Sequence, residues 1–492
     1  MAKYAVIIAL AVLSSGMSYG QNEEDALRYS MTYFGGSARN MSSAGALSAM
    51  GGDFGNAGQN PAGLGRLTKS QFSFTPYLEI PSVTSDFNGN EIKSNRVTAS
   101  FGNLSYVKAY QLDPNKFNNW YSVQIGIGFN RIRSFQDSLA YNGVSDSSIL
   151  HSFIREANGT PQALIYDYHP FTAGLAYDVY AIDPGATDGE YTTQFQNGNA
   201  EHSRWIKRTG GITEFNVITV SGNYANKLLI GGSLNYVRAS YSETMKHVEV
   251  YNDSTNWLNW TRYTGQLDIT GNGLNVRLGA IYMPIPEFRI GVAVETPTAY
   301  LMKDFWTNNM RAGTDAGEKF VESQFVPTGS YEYKIRTPFK ANMSAALVLK
   351  KFGSVGAEIE YVDYTNAKLK SRTITSAPYD FAAENLQIDN IYRPTVNTKI
   401  GVEGRITKQL YVRGGFAYYG SPYKASSGNN QNPILFYTGG AGYNFGIMYL
   451  DMAYVLQSRK EDYYAYDPTI PGSHATFNVK NSQVVVTVGA RF

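Results

Sequence analysis

The chain has 492 residues, with 42 Lys and Arg against 40 Asp and Glu and a formal net charge of +2. That balance supplies no basic field for nucleic acid. The absence of cysteine excludes disulfides, thiolate metal sites and a lipoprotein anchor. Tyrosine is abundant, at 38 residues beside 48 glycines and 5 histidines, which suits strands and a membrane–water boundary.

Residues 1–20 have the layout of a secretory leader: Lys3, an apolar run from Tyr4 to Leu13, then small residues to Ser18-Tyr19-Gly20. No later apolar run reaches the roughly 18 residues that a membrane helix needs. An exported chain of this kind is either soluble or a barrel. Residues 21–68 follow, rich in small residues and ending in GNAGQNPAGLGR (Gly55 to Arg66). Arg39 to Met50 has the content of a short helix. The rest reads as irregular backbone, which a membrane protein tolerates only inside its own wall. This segment is expected to be a hatch, or plug, in a lumen.

From residue 69 to 492 the sequence alternates apolar and polar with period 2. In YSVQIGIGF, Tyr121, Val123, Ile125, Ile127 and Phe129 share one face, and Ser122, Gln124, Gly126 and Gly128 the other. Fourteen strands are expected, near 69–80, 94–108, 120–134, 214–225, 227–245, 264–283, 286–297, 335–350, 354–365, 395–407, 409–420, 434–445, 447–459 and 480–492. Tight turns such as Asn226-Lys227, Lys351-Phe352-Gly353 and Lys408-Gln409 alternate with long excursions near 135–213, 298–334 and 366–394. Short turns on one rim and long loops on the other define a transmembrane antiparallel β-barrel, an all-β fold of the outer membrane. An alternating last strand that ends in Phe492 resembles the C-terminal signal by which insertion machinery recognises outer-membrane proteins, although an ordinary terminal strand can also end in Phe.

These segments together resemble the FadL-type outer-membrane transporters of long-chain fatty acids and other hydrophobic compounds. The resemblance is carried by SAGALSAMGGDFGNAGQNPAGLGRL, with Asn60, Pro61 and Ala62 matching the family's Asn-Pro-Ala. It extends through PEFRIGVAVETPTAYLMKDF, TPFKANMSAALVLKKFGSVGAEIEYVDYTNAKL and later strands. The resemblance implies a monomer in the outer membrane of a Gram-negative bacterium, its lumen closed by the hatch. A hydrophobic ligand would be caught by the outer loops and pass to a pocket beside the mature N-terminus. It would leave through the wall into outer-membrane lipid when the hatch rearranges at Asn60, Pro61 and Ala62. No enzyme chemistry, cofactor, metal or nucleic acid is expected.

Candidate ligand contacts are the apolar run Leu27, Tyr29, Met31, Tyr33 and Phe34 after Glu23, Glu24 and Asp25. Three outer-loop positions join them. Leu175, Val179 and Ile182 lie on one expected helical stripe, Trp257 and Trp260 in the next outer loop, and Leu301, Met302, Phe305 and Trp306 in the fourth. Packing of loop against loop explains the same residues. Lumen cations Arg277, Arg289 and Arg413 are expected to pair with Glu358, Glu360 and Glu403 across the lumen, or with a ligand carboxylate. Two other readings stay open. His151, His169, His202, His247 and His474, all placed in loops or at their edges, leave haem capture; the enlarged loop leaves a scaffold that binds a partner protein.

Overall fold

The structure is a computed structural model that describes residues 22–195, 198–252, 257–372, 379–429 and 431–492; the expected leader lies outside them. Fourteen antiparallel strands close into one barrel. β1 is Gln71–Phe87. β2 runs as Asn90–Asn95 and Thr98–Gln111, and β3 as Trp120–Ser134 and Asp137–Ser145. β4 is Ala200–Tyr224, β5 Leu228–Tyr251 and β6 Leu258–Ile285. β7 is Phe288–Glu295 with Ala299–Thr314, β8 Thr328–Arg336 with Lys340–Val348, and β9 Gly353–Asp363 with Lys368–Ser371. β10 is Pro394–Arg405, β11 Leu410–Tyr419, β12 Ile434–Asn444, β13 Met448–Tyr464 and β14 His474–Arg491. β14 pairs with β1 from Gln71↔Arg491 to Asp86↔Thr476 and closes the wall, leaving no free edge.

The alternation sorts side chains as a bilayer demands. Along β13, Met448, Met452 and Tyr454 are exposed on the outside, while Tyr449, Asp451, Ala453 and Val455 are buried inside. Among the described residues no helix is long and apolar enough to cross a membrane.

Strand length departs from the sequence expectation. A crossing takes about 9–11 tilted residues, yet β4, β5 and β6 have 25, 24 and 28. Their upper halves stand clear of the apolar band. Most of the two ends of the 135–213 excursion is therefore wall, and the true outer loop lies between Ser145 and Ala200. The 298–334 excursion is likewise corrected, because Ala299–Thr314 is strand, paired with β6 from Leu258↔Thr314 to Leu274↔Ala299. Pro297 and Pro338 interrupt β7 and β8 beside one another. Neither can donate to the ladder, and Thr298 and Thr337 carry the connection instead, the Thr298 amide donating to Thr337 Oγ1 at 2.8 Å.

Within the lumen lie α1 (Glu23–Ser30), α2 (Ala38–Ser42) and three 3-10 turns, Ser48–Met50, Phe54–Gly58 and Pro61–Arg66. The glycine-rich stretch is thus more regular than expected. Asp53 and Asn60 cap its two turns through their side chains, and Pro61 occupies the first position of the second, where its missing N–H costs nothing. α2 stops early because Ala44 and Gly45 turn to positive φ. Above the barrel, α3 (Ile149–Ala157), α4 (Ile165–Tyr168) and α5 (Ala173–Asp178) pack on the tall strands as an apolar cap.

Candidate ligand path through the barrel

The hatch is tied to the wall at two heights. At the lower one, Asn60 Nδ2 donates to the carbonyls of Ala280 at 3.3 Å and Val292 at 3.2 Å, and Ser221 Oγ donates to the Ala62 carbonyl at 3.0 Å. The wall is glycine where the hatch touches it: a Cβ on Gly231 would sit 2.8 Å from the Ala62 amide nitrogen, and one on Gly279 would overlap the Asn60 side chain. Deeper charges join strand to strand and strand to hatch. Arg413 contacts Glu403 at 2.7 Å and Asp451 at 2.5 Å, and Arg39 of the hatch reaches the same Glu403 at 3.2 Å.

These pairings correct part of the expectation. Arg277 binds Glu214 and Glu295, Lys399 binds Glu358, and Glu360 accepts from Asn397. Arg289 donates to the carbonyl of Met50. Apart from Arg413 with Glu403, the expected pairs do not form. The hatch fills the lumen, so charges meet register partners on neighbouring strands, such as Glu403↔Arg413 and Glu295↔Arg277.

At the upper height the wall itself is broken. β2 pairs with β3 from Gln111↔Ser122 up to Asn103↔Asn130, and no ladder joins these strands above that point among the described residues. β3 stays paired to β4 on its other side, through three register shifts. The hatch occupies the break. The Tyr33 amide donates to the Ile132 carbonyl at 2.9 Å, taking the place of the missing strand partner. A Cβ on Gly35 would run into the Arg131 carbonyl, and Gly36 adopts φ +93 against Asn130, so both positions demand glycine. From the wall, Arg133 Nη1 donates to the carbonyls of Arg28 at 2.8 Å and Met31 at 2.7 Å, closing the C-terminus of α1. A small cavity lies behind the break, lined by Tyr33, Phe34, Gly36, Gly102 and Arg131.

Above the hatch, a cavity of about 280 Å³ is lined by Leu27, Met31, Tyr33, Phe135, Tyr241 and Ile434, with Arg133, Arg208, Arg459 and Glu461 at its margin. Arg208 is neutralised by Glu243 and Glu461, both at 2.8 Å, and Arg459 by Asp137 at 2.5 Å. The Arg133 guanidinium is bonded to carbonyls and lies 5.0 Å from the Phe135 ring centre and 5.5 Å from that of Tyr33.

The sequence candidates divide among four places. Leu27, Met31 and Tyr33 line the large cavity; Tyr29 is buried behind it against Phe135 and Tyr300, and Phe34 against Phe436. Leu175, Val179 and Ile182 are buried in the cap core rather than in a groove, and α5 ends before Val179. Trp260 is in β6 rather than in a loop, with the Arg262 guanidinium over its ring, and Trp257 accepts from Asp315 just below the strand start. Leu301 and Phe305 face outward on β7, Met302 faces the lumen, and the Trp306 ring lies tilted against that of Phe171, with centres 5.8 Å apart. These four were expected in a loop; the alternation of Ala299–Thr314 makes them wall.

Two histidines are also relocated. His202 and His247 lie inside β4 and β5, whereas His474, the first residue of β14, keeps its place at a loop edge. His151 closes the cap of α3, accepting from the Ser148 amide, and His169 binds Glu156. Among the groups standing clear of the membrane, burial pushes the His247 imidazole down to about 4, against the pull of its bond to Glu249. Burial alone would raise Glu249; His202, His247 and Ser148 outweigh it and hold that carboxyl at about 2.

Sequence reasoning missed Ile132, Arg133 and Gly35-Gly36. The available signal was Arg131-Ile132-Arg133. Both arginines continue the outward parity of Phe129, so the strand must shift register to bring them inside.

Neither a family model nor a curated protein matches the chain. Solved structures do match its fold. A FadL homologue from Pseudomonas aeruginosa superposes with a TM-score of 0.54 at 13% identity, over 94% of this chain and 100% of that one. The toluene transporter TodX of Pseudomonas putida gives 0.53 at 14% identity, with the same 94% and 100% coverage. The protein has the fourteen-stranded, hatch-filled barrel fold of the FadL-type transporters.

Proposed function

We propose that this barrel, as a monomer in the outer membrane of a Gram-negative bacterium, takes up hydrophobic and amphipathic small molecules. The ligand enters beneath the apolar cap, rests in the cavity beside Leu27, Met31 and Tyr33, and leaves sideways between β2 and β3. The observation that carries this reading is the Tyr33–Gly36 segment seated in the ladder break. A single backbone hydrogen bond and two glycines fill that break, with Arg133 holding the α1 end beside it, so a small displacement of the hatch opens the lumen to lipid.

Long-chain fatty acids fit best. Leu27, Met31, Phe135 and Ile434 suit an alkyl tail, and Arg133, whose guanidinium is bonded to carbonyls, can receive a carboxylate at no cost in broken ion pairs. The described solved structures include a toluene transporter, which supports an apolar cargo without choosing among them.

The test is uptake of labelled oleate and of toluene by cells lacking the chain, then by cells complemented with wild type or with Gly102→Trp, which fills the break. Wild type should restore uptake, and the tryptophan variant should not, although its barrel still shows a heat-dependent gel shift. Equal uptake with and without the chain overturns the reading.

A further inference from the structure

High in the cap, far from the break, His202, His247 and Glu249 meet with their ligand atoms all within 4.8 Å. The strand pattern makes the meeting. His247 and Glu249 stand two apart on one face of β5, and His202 of β4 is the register partner of Glu249. All three side chains are buried.

Glu249 Oε1 is the point of convergence. It lies 2.9 Å from His247 Nε2 and 3.4 Å from His202 Nδ1. Ligand atoms at the corners of a tetrahedron with metal bonds near 2.0–2.1 Å stand about 3.3 Å apart, so the spacing already suits one ion.

The hydrogen bond of His202 points the same way, while the bond between His247 Nε2 and Glu249 Oε1 is the one an ion would replace, releasing a proton. His202 Nε2 donates to the Ser147 carbonyl at 2.8 Å. In the neutral ring that bond leaves Nδ1 as a lone pair facing the Glu249 carboxylate, with no hydrogen-bond partner among the described residues. Two buried acceptors facing each other repel unless a cation lies between them. A ligating histidine held by a backbone carbonyl through its other nitrogen is the usual support for a metal. Arg204, the register partner of His247, donates to the Ala465 carbonyl at 3.3 Å with its guanidinium over the Tyr463 ring.

We infer that His202 Nδ1, His247 Nε2 and Glu249 Oε1 form a binding site for a divalent transition metal of the zinc class. Two imidazoles and a carboxylate suit Zn2+ and leave a fourth position for water. The site's role is structural. Glu249 also accepts from the Ile149 amide at 2.8 Å and from the Ser148 hydroxyl at the start of α3. An ion here would tie β4, β5 and the first loop helix together at the mouth of the barrel.

The test uses the full chain purified in detergent, stripped by chelator and dialysed against micromolar Zn2+. Wild type should retain about one zinc per chain by elemental analysis. His202→Asn and His247→Ala should each retain at least tenfold less, while keeping the heat-dependent gel shift of a folded barrel. Zn2+ should also slow proteolysis between Ser145 and Ala200 in wild type and have no effect in the double variant. Zinc retained equally by wild type and double variant overturns the site. So does no zinc in wild type together with a loop loosened by His202→Asn, which would mean an ion pair only.

Discussion

The amide of Tyr33 in the hatch donates to the carbonyl of Ile132 in β3 at 2.9 Å, above the point where β2 and β3 cease to pair. One residue of the plug thus acts as a strand partner for the wall. Gly35 allows it, because any Cβ there meets the Arg131 carbonyl. Gly35→Val should therefore expel the segment from the break. The expected result is a folded barrel with normal heat-dependent migration and raised sensitivity to a large polar antibiotic. Unchanged sensitivity would mean that the hatch closes the lumen without this contact.

Arg133 offers a test between the proposed cargo classes. Its guanidinium bonds to the Arg28 and Met31 carbonyls, and hydrogen bonds to a charged group are worth about 1.5–3 kcal/mol. Arg133→Ala should loosen α1 and, if fatty acids are the cargo, lower oleate uptake severalfold while toluene uptake falls less. Arg133→Lys keeps the charge but not the forked geometry and should restore oleate uptake only in part. Equal losses for both cargoes would assign Arg133 to hatch positioning alone.

Much of this architecture is legible in the sequence for a physical reason. Period-2 alternation is imposed by lipid outside and hatch inside, so 447–459 and 480–492 read as strands, although the full strands Met448–Tyr464 and His474–Arg491 extend higher. The tall strands were harder to see. Above the membrane both faces of EHSRWIKRTG and SETMKHVEVY meet polar or protein surroundings, so the contrast that marks a strand fades. The break escaped for a different cause. Register shifts between Gly126 and Gly128 and between Arg131 and Arg133 invert the parity that the reading relies on. Leu27, Met31 and Tyr33 come to line a cavity because an apolar run beside a plug has few places to go. Leu301 and Phe305 were misplaced because aromatic and aliphatic residues suit a lipid face as well as a ligand groove.

Asn60 is the lower fastening of the hatch. Replacing it with alanine removes two bonds to the wall and the cap of the Pro61–Arg66 turn. At roughly 0.5–1.5 kcal/mol for each bond and about 1 for the cap, the hatch should lose about 2–4 kcal/mol of anchoring. The barrel ladder contains none of these bonds. Hydrogen exchange should accelerate across residues 54–66 and stay slow in β5 and β6. Loss of barrel assembly itself would instead make Asn-Pro-Ala a folding element.

Leu175 tests whether the cap is a lid or a ligand groove. It is 2% exposed and packs in the apolar cluster with Ile149, Phe153 and Val179. Leu175→Ala should cost about 2–5 kcal/mol of cap packing, because Leu175 is the largest apolar side chain that the six-residue helix buries. The tall strands beneath are paired independently, through Ala200↔Tyr251 to Tyr224↔Leu228, so the barrel should migrate normally on gels. Proteolysis between Ser145 and Ala200 should rise at least tenfold. A lid role then expects ligand entry to persist or quicken as the cap loosens. If uptake falls in step with Leu175→Ala while the cap stays protease-resistant, the side chain touches cargo, and the buried cluster opens into a groove when ligand arrives.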